Sequence, residues 1–300
     1  MGSSKSRQSQ KCSDRKVEQS AIFPIMESPQ IEEKPTISFL MIGCQRCGTT
    51  WTDAALRTHP QVFLPERKQS YFFDRNYDKG IDWYLERFRD ARKEQTAVGE
   101  VATGYCLLEA IPFLAEHFPN TKLLMVMRNP IDRAYSNFQS RKIEEGWETF
   151  EEALESNADI YERGQYIDQI VRLLAFYKRE NILFLLHDDL NSNDKAYIHS
   201  IYDFIGVDSA VDTPMIGQIK NAAMYTSWRK RLHQLGLKSI VRLISKSWIG
   251  DQIRRSRKNK GRAYMSMNPK TKEKLQKHFA PYNKKLSTFL GRDLSKWDEI

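Results

Sequence analysis

Apolar residues are unevenly spread along the chain. The first 35 residues are polar, carry Pro24, Pro29 and Pro35, and show no period in their few hydrophobic positions. Such a stretch cannot cover a core, so residues 1–35 read as a flexible leader. From Ile37 the pattern changes. Short apolar runs at 37–42, 62–64, 97–101, 122–127 and 182–187 have the length and continuity of strands buried on both faces. Between them apolar residues return every three or four positions, predicting helices over 49–58, 81–89, 106–118, 130–143, 148–156, 166–179 and 194–205. Tyr166, Ile170, Leu174 and Tyr177 form one core-facing stripe, and Leu275, Phe279, Tyr282, Leu286 and Phe289 another. Strand and helix in alternation predict an α/β fold: a P-loop-like parallel sheet with helices on both faces, in one domain over 36–300.

The first apolar run ends at Gly43, and Gly48 opens the first helix. The spacing G-x-x-x-x-G-T-T over Gly43–Thr50 nearly matches the nucleotide-binding pattern G-x-x-x-x-G-K-[ST]. Glycines let the backbone approach an anion, and the helix N-terminus holds it with N–H groups. Thr49 stands where the lysine belongs, and Arg46 is the only charge in the loop. Such a loop suits one phosphate better than three. A plain glycine turn fits the same spacing, but one arginine and two threonines at a helix start favour the anion. A nucleotide kinase or NTPase is the rival class; the missing lysine and the lack of a strand-end Asp for Mg²⁺ count against it.

A second candidate follows the run at 122–127. Arg128-Asn129-Pro130 sits at the strand's end, and Ser136 lies about two turns along the helix that Pro130 begins. Ligands of parallel sheets collect at the carboxyl ends of strands. Arg128 thereby shares an edge with the glycine loop, and a second anion is its natural partner. An arginine that only caps a helix or pairs with a carboxylate is the plainer alternative.

Together these elements resemble the sulfotransferases that use 3′-phosphoadenosine 5′-phosphosulfate. The glycine loop is similar to that family's 5′-phosphosulfate site, and Arg128-Asn-Pro-x-x-Arg-Ala-Tyr-Ser136 to its 3′-phosphate element. Phe72-Phe73-Asp74 with Gly80-x-x-Trp83-Tyr84 resembles a segment of the heparan-sulfate-type and related bacterial enzymes. Gly99-Glu100, Tyr105, Gly164-x-Tyr166 and Asp188-Asp189-Leu190 echo further family segments. Lys260-Gly261-Arg262 resembles the loop that closes over the nucleotide, and Gly291–Trp297 the family's carboxyl end. The likeness runs over about residues 37–297.

The resemblance implies transfer of a sulfuryl group from that co-substrate to a hydroxyl or amine by in-line displacement, without a metal. It assigns Arg46, Cys47, Gly48, Thr49 and Thr50 to the 5′ end, Trp51 to the adenine, and Arg128 and Ser136 to the 3′-phosphate. Lys260, Gly261 and Arg262 would help at the 3′-phosphate. Arg46 would stabilise charge. The general base is the departure: Gln69 occupies the position of the family's glutamate, and Val101 that of a lysine. Glutamine cannot accept a proton at neutral pH. Either Glu100 or Glu66 serves instead, or the acceptor is an amine or a phenol that needs little base, or the chain binds nucleotide with weak turnover.

Charge refines the picture. Residues 228–262 carry twelve Lys and Arg against Asp251 alone, more than the whole net charge of +9. Interleaved apolar residues predict an amphipathic helix with a basic outer face; capture of an anionic acceptor or membrane surface comes second, and nucleic acid last, because no recognition motif accompanies the charge. Four cysteines build no disulfide framework, and Cys44-Gln-Arg-Cys47 lacks the second half of a zinc site. No apolar run reaches the length of a membrane span. Met1-Gly2-Ser3-Ser4-Lys5-Ser6 fits the N-myristoylation pattern, with basic residues following. The expectation is a cytoplasmic enzyme acting on a small molecule, with membrane contact through an acylated Gly2.

Overall fold

The computed structural model describes residues 36–107, 109–218 and 267–299. The leader with Gly2, the basic stretch 228–262 and the Lys260-Gly261-Arg262 triplet lie outside the described residues. The first half runs β1 (Phe39–Gly43), α1 (Thr49–Leu56), β2 (Val62–Phe63), α2 (Phe72–Arg75), α3 (Ile81–Leu85), β3 (Ala97–Val101), α4 (Ala110–His117) and β4 (Lys122–Met127). There follow α5 (Pro130–Arg141), α6 (Phe150–Ser156), α7 (Asp159–Glu162), α8 (Tyr166–Leu174), β5 (Ile182–Leu186), α9 (His187–Ser192), α10 (Asp194–Ile205) and α11 (Pro269–Leu290).

The five strands form one sheet in the order β2-β3-β1-β4-β5, and every pairing is parallel. Every residue of β1 and β3 is buried, and all of β4 but Lys122. A strand that is apolar at consecutive positions is covered on both faces, which is why these segments read as unbroken runs. From β1 the chain crosses to β3 and β2 on one side and to β4 and β5 on the other. The crevice of such a sheet opens where those crossings diverge, at the carboxyl ends of β1 and its neighbours.

All five expected strands are present. Helix ends differ from the periodicity where the backbone is held elsewhere. The helix expected from 106 begins at Ala110, because the Cys106 N–H donates to the Ile42 carbonyl at 2.8 Å and keeps that turn on β1. The one expected over 81–89 splits into α3 and a 3₁₀ turn at Glu86–Phe88. α5 starts as Pro130 predicts: Asn129 caps it, its side-chain oxygen accepting from Ile131 N at 2.9 Å. The Leu275–Phe289 stripe lies on α11, where Leu275, Phe279 and Leu286 are buried.

Gly99 marks the tightest point of the sheet. A Cβ there would fall 2.3 Å from the Phe39 carbonyl oxygen and 2.7 Å from its ring. Neither the backbone nor a ring enclosed in the core can step aside. Gly99→Ala should therefore lower the urea midpoint by the equivalent of about 1–3 kcal/mol at unchanged m-value. An unshifted midpoint would contradict the β1–β3 register.

Candidate active site

The glycine loop is tied to the neighbouring strand as it leaves β1. Cys44 N–H donates to the Val126 carbonyl at 2.8 Å, tying the loop's first residue to β4. Gly48 has φ 92° and is the residue before α1. A Cβ on it would come within 2.8 Å of Leu190 and 3.0 Å of His187, so only glycine suits both the torsion and the space. Thr49 and Thr50 then begin the helix, where N–H groups have no partner within it.

The two anion elements that sequence alone set 90 residues apart meet here. Arg46 Nε donates to Ser136 Oγ at 3.0 Å, and Arg128 Nη1 donates to the Arg46 carbonyl at 3.3 Å. Below them Tyr166 OH donates to the Arg128 carbonyl at 2.8 Å, and burial among thiols keeps that phenol protonated, its pKa well above the usual value. The Arg128–Asp132 pair at 3.7 Å is exposed on the aspartate side and contributes little. Arg46, Thr49, Thr50, Arg128 and Ser136 all face one cleft of about 360 Å³, the scale of a small-ligand site.

Further residues that motif reading does not assign to this site also face the cleft, Lys68, His187 and Thr103 among them. Lys68 brings its Nζ to 3.4 Å from Thr49 Oγ1 and 3.3 Å from Thr50 Oγ1. Burial, with Arg57 and Arg46 nearby, outweighs the pull of Asp53 and lowers its pKa to about 8. His187 begins α9 at the end of β5, and Nδ1 accepts from Asn191 Nδ2 at 3.0 Å. Burial first, and Arg128 second, push its pKa down to about 4, so it is neutral at physiological pH. Thr103 follows β3 and binds Gln69, whose Oε1 accepts from Thr103 N at 3.3 Å and Oγ1 at 3.2 Å. Only position at a strand's carboxyl end could have pointed to His187 and Thr103. No Asp or Glu lines the cleft among the described residues.

Other expected members stand elsewhere. Glu100 has no exposed surface. Its carboxylate accepts from Ser70 N, from Ser70 Oγ at 3.1 Å and from Tyr105 OH at 3.0 Å. A carboxylate so enclosed cannot reach an acceptor; it fixes the segment after Gln69 to β3. Glu66 is exposed and does not line the cleft. Trp51 lies edge-on to Tyr197, at 6.0 Å between centroids, and is nearly buried, so it packs in the core instead of lining the cleft for an adenine. Cys47 is buried, its N–H donating to the Cys44 carbonyl at 3.3 Å and its thiol 3.8 Å from Tyr166 OH. Cys44 and Cys106 are buried too, their sulfurs 3.9 Å apart as free thiols. Among the described residues no group of His, Cys, Asp and Glu could hold a metal.

Comparison with known proteins adds a family to this geometry. The profile of the sulfotransferase domain matches residues 37–290. Human bifunctional heparan sulfate N-deacetylase/N-sulfotransferase 2 is 27% identical over 277 residues, covering 85% of this chain and 29% of its own length. The chain thus spans under a third of that relative. Human heparan sulfate glucosamine 3-O-sulfotransferase 3B1 is 22% identical, covering 95% of this chain and 75% of its own. The crystal structure of a sulfotransferase from Alicyclobacillus acidocaldarius shares the fold, with TM-score 0.66 at 21% identity, over 88% of this chain and all of that one.

The enclosure of Glu100 has a pH signature. Burial raises its pKa, against the donors Ser70 and Tyr105 and the neighbouring Tyr84. A carboxyl with a raised folded pKa contributes stability below its unfolded value, near 4.5, and that contribution is lost as pH rises through the folded value. Glu100→Gln, which carries no charge, should flatten the fall of Tm above pH 4.5 while leaving nucleotide affinity within about 2-fold, since nothing at the cleft is removed. An unchanged Tm–pH slope in that variant would show that Glu100 is not the buried charge described.

Proposed function

This chain belongs to the sulfotransferase family, and from that premise we propose that it moves a sulfuryl group from 3′-phosphoadenosine 5′-phosphosulfate to a nucleophilic acceptor. One observation carries the reading. Two separate motif elements, each bearing an arginine, converge on one cleft with no carboxylate among its described lining residues and join through the Arg46–Ser136 hydrogen bond of 3.0 Å. Cations gathered around a cleft whose described lining holds no carboxylate form a site for anions, and a nucleotide with phosphate groups at two positions supplies them.

The donor set fits that nucleotide. Arg128 and Ser136 would hold the 3′-phosphate, with Arg46 beside them through its bond to Ser136. The α1 start, with Thr49 and Thr50, would take the 5′ end. When bound, the co-substrate supplies an activated sulfuryl group; fixed donors then stabilise the charge that develops as it is transferred. Lys260, Gly261 and Arg262, which resemble the family's closing loop, are proposed to complete the 3′ site. The spacing that also admits a nucleotide kinase is less well served, because among the described residues no carboxylate lines the cleft to hold Mg²⁺.

The same shortage of carboxylates bears on the acceptor. With Gln69 turned to Thr103 and Glu100 enclosed, no side chain of ordinary carboxylate basicity meets the cleft among the described residues. We take the acceptor to be a group that attacks without strong general-base help: an amine, or a phenol with pKa near 10. A small molecule and a glycan amine both meet that requirement. Among the described residues no helix is long and apolar enough to cross a membrane. A relative in Dictyostelium discoideum, 31% identical over 104 residues (34% of this chain and 22% of its own), is described as a membrane-associated sulfotransferase. Its description is compatible with the proposed contact through Gly2.

Binding tests the assignment directly. The product nucleotide, 3′-phosphoadenosine 5′-phosphate, should raise Tm in EDTA, whereas ATP with Mg²⁺ should not. Arg128→Ala should weaken the product nucleotide by about 1.5–3 kcal/mol, the range of a hydrogen bond to a charged group. Stabilisation by ATP–Mg²⁺ alone would overturn the reading.

A further inference from the structure

The glycine loop lacks the lysine of its nucleotide-binding counterparts, yet an ammonium stands over its threonines. We infer that Lys68, carried on the segment between β2 and α2, supplies the cation for the 5′-phosphosulfate end of the nucleotide in place of the absent loop lysine. The inference rests on the sulfotransferase reading and names a residue within it.

The geometry separates two cationic ends. Arg46 is the loop's own charge, but its Nε is directed at Ser136 and its carbonyl holds Arg128, so it serves the end where α5 begins. Among the described cations of the cleft, Lys68 stands at the other end, its Nζ within 3.4 Å of both Thr49 and Thr50 hydroxyls. Those are the residues that open α1, where anions are held by N–H groups and the helix dipole. An ammonium has three donors, and the two hydroxyls use two of them at distances longer than a charge-assisted bond prefers.

The protein offers this ammonium little in return. Among the described residues no ion pair includes Lys68; the nearest acidic influence, Asp53, is already paired with Arg57 at 3.1 Å. Removing a cation from water without a counter-charge is unfavourable, which is why its pKa falls to about 8. A fold tolerates such a group where a ligand anion completes it. In transfer, the bond from sulfur to the 5′-phosphate oxygen breaks with its electron pair left on that oxygen, the acceptor bonds to sulfur, and the acceptor's proton passes to solvent. Lys68 would meet the charge left on the phosphate oxygen without giving up its own proton.

Two ligands isolate this end of the site. Adenosine 3′-phosphate lacks the 5′-phosphate that the product nucleotide carries, so the ratio of their affinities, by isothermal titration calorimetry, reads what the 5′ end contributes. Lys68→Met should cost the bisphosphate about 10- to 100-fold and leave the monophosphate within about 2-fold; Lys68→Arg should keep most of the affinity. In the unaltered protein, bisphosphate affinity should fall as pH rises through about 8, because the ammonium near Asp53, Arg57 and Arg46 loses its proton there. The 5′-phosphate is already fully ionised, with its second pKa near 6. That fall should vanish in Lys68→Met. Equal losses for both ligands, or none, would overturn the role of Lys68. Failure of the unaltered protein to bind the bisphosphate would instead remove the sulfotransferase reading beneath it.

Discussion

A concentration of positive charge at one cleft is the constraint around which the described residues are arranged. Arg46, Lys68 and Arg128 share one cleft with no acidic side chain among the described lining residues. Mutual repulsion would spread such groups apart if their backbones were free, so each is anchored by an interaction that does not involve its charge. The loop bearing Arg46 is tied to β4 through Cys44 N–H, the carbonyl of Arg128 is held by Tyr166, and the segment carrying Lys68 is fixed through Ser70 to Glu100.

The parallel sheet makes that anchoring economical. Because β1 lies at the centre, with crossings leaving it in both directions, the segments after β1, β3, β4 and β5 all emerge at one edge. Each contributes to the cleft: Arg46, Thr103, Arg128 and His187 in turn. Burial on both faces of β1 and β3 leaves these strands little room to shift, so the edge behaves as a rigid rim. Helix starts supply the rest. α1 and α5 both begin at this rim, one after a glycine in the left-handed region and one after a capping asparagine.

Much of this could be read in the chain before any coordinates. The strands were visible because burial on both faces makes them continuously apolar, and Pro130 marked a helix start through its fixed φ. Arg46, Arg128 and Ser136 were legible as a set because their spacing relative to strand ends is a local property. Lys68 and His187 were not assigned, since their positions depend on how distant elements pack. Glu100 misled for the converse reason: a carboxylate at a strand's end suggests chemistry, but whether it faces the cleft or the core depends on Ser70 and Tyr105, which close over it. Trp51 follows the same logic, its ring taken by Tyr197 in the core.

The knot of Glu100, Ser70 and Tyr105 also separates place from identity at position 69. The knot grips the main chain at Ser70 and Phe72, with Phe72 N–H donating to Tyr105 OH at 3.1 Å, and asks nothing of the side chain one residue earlier. Gln69 hangs from a fixed post, touching Thr103 through its terminal amide alone among the described hydrogen bonds. Its side chain is therefore an interchangeable fitting on an immobile mount. A one-codon change there would alter the group presented beside Thr103 without disturbing the contacts that hold the rim.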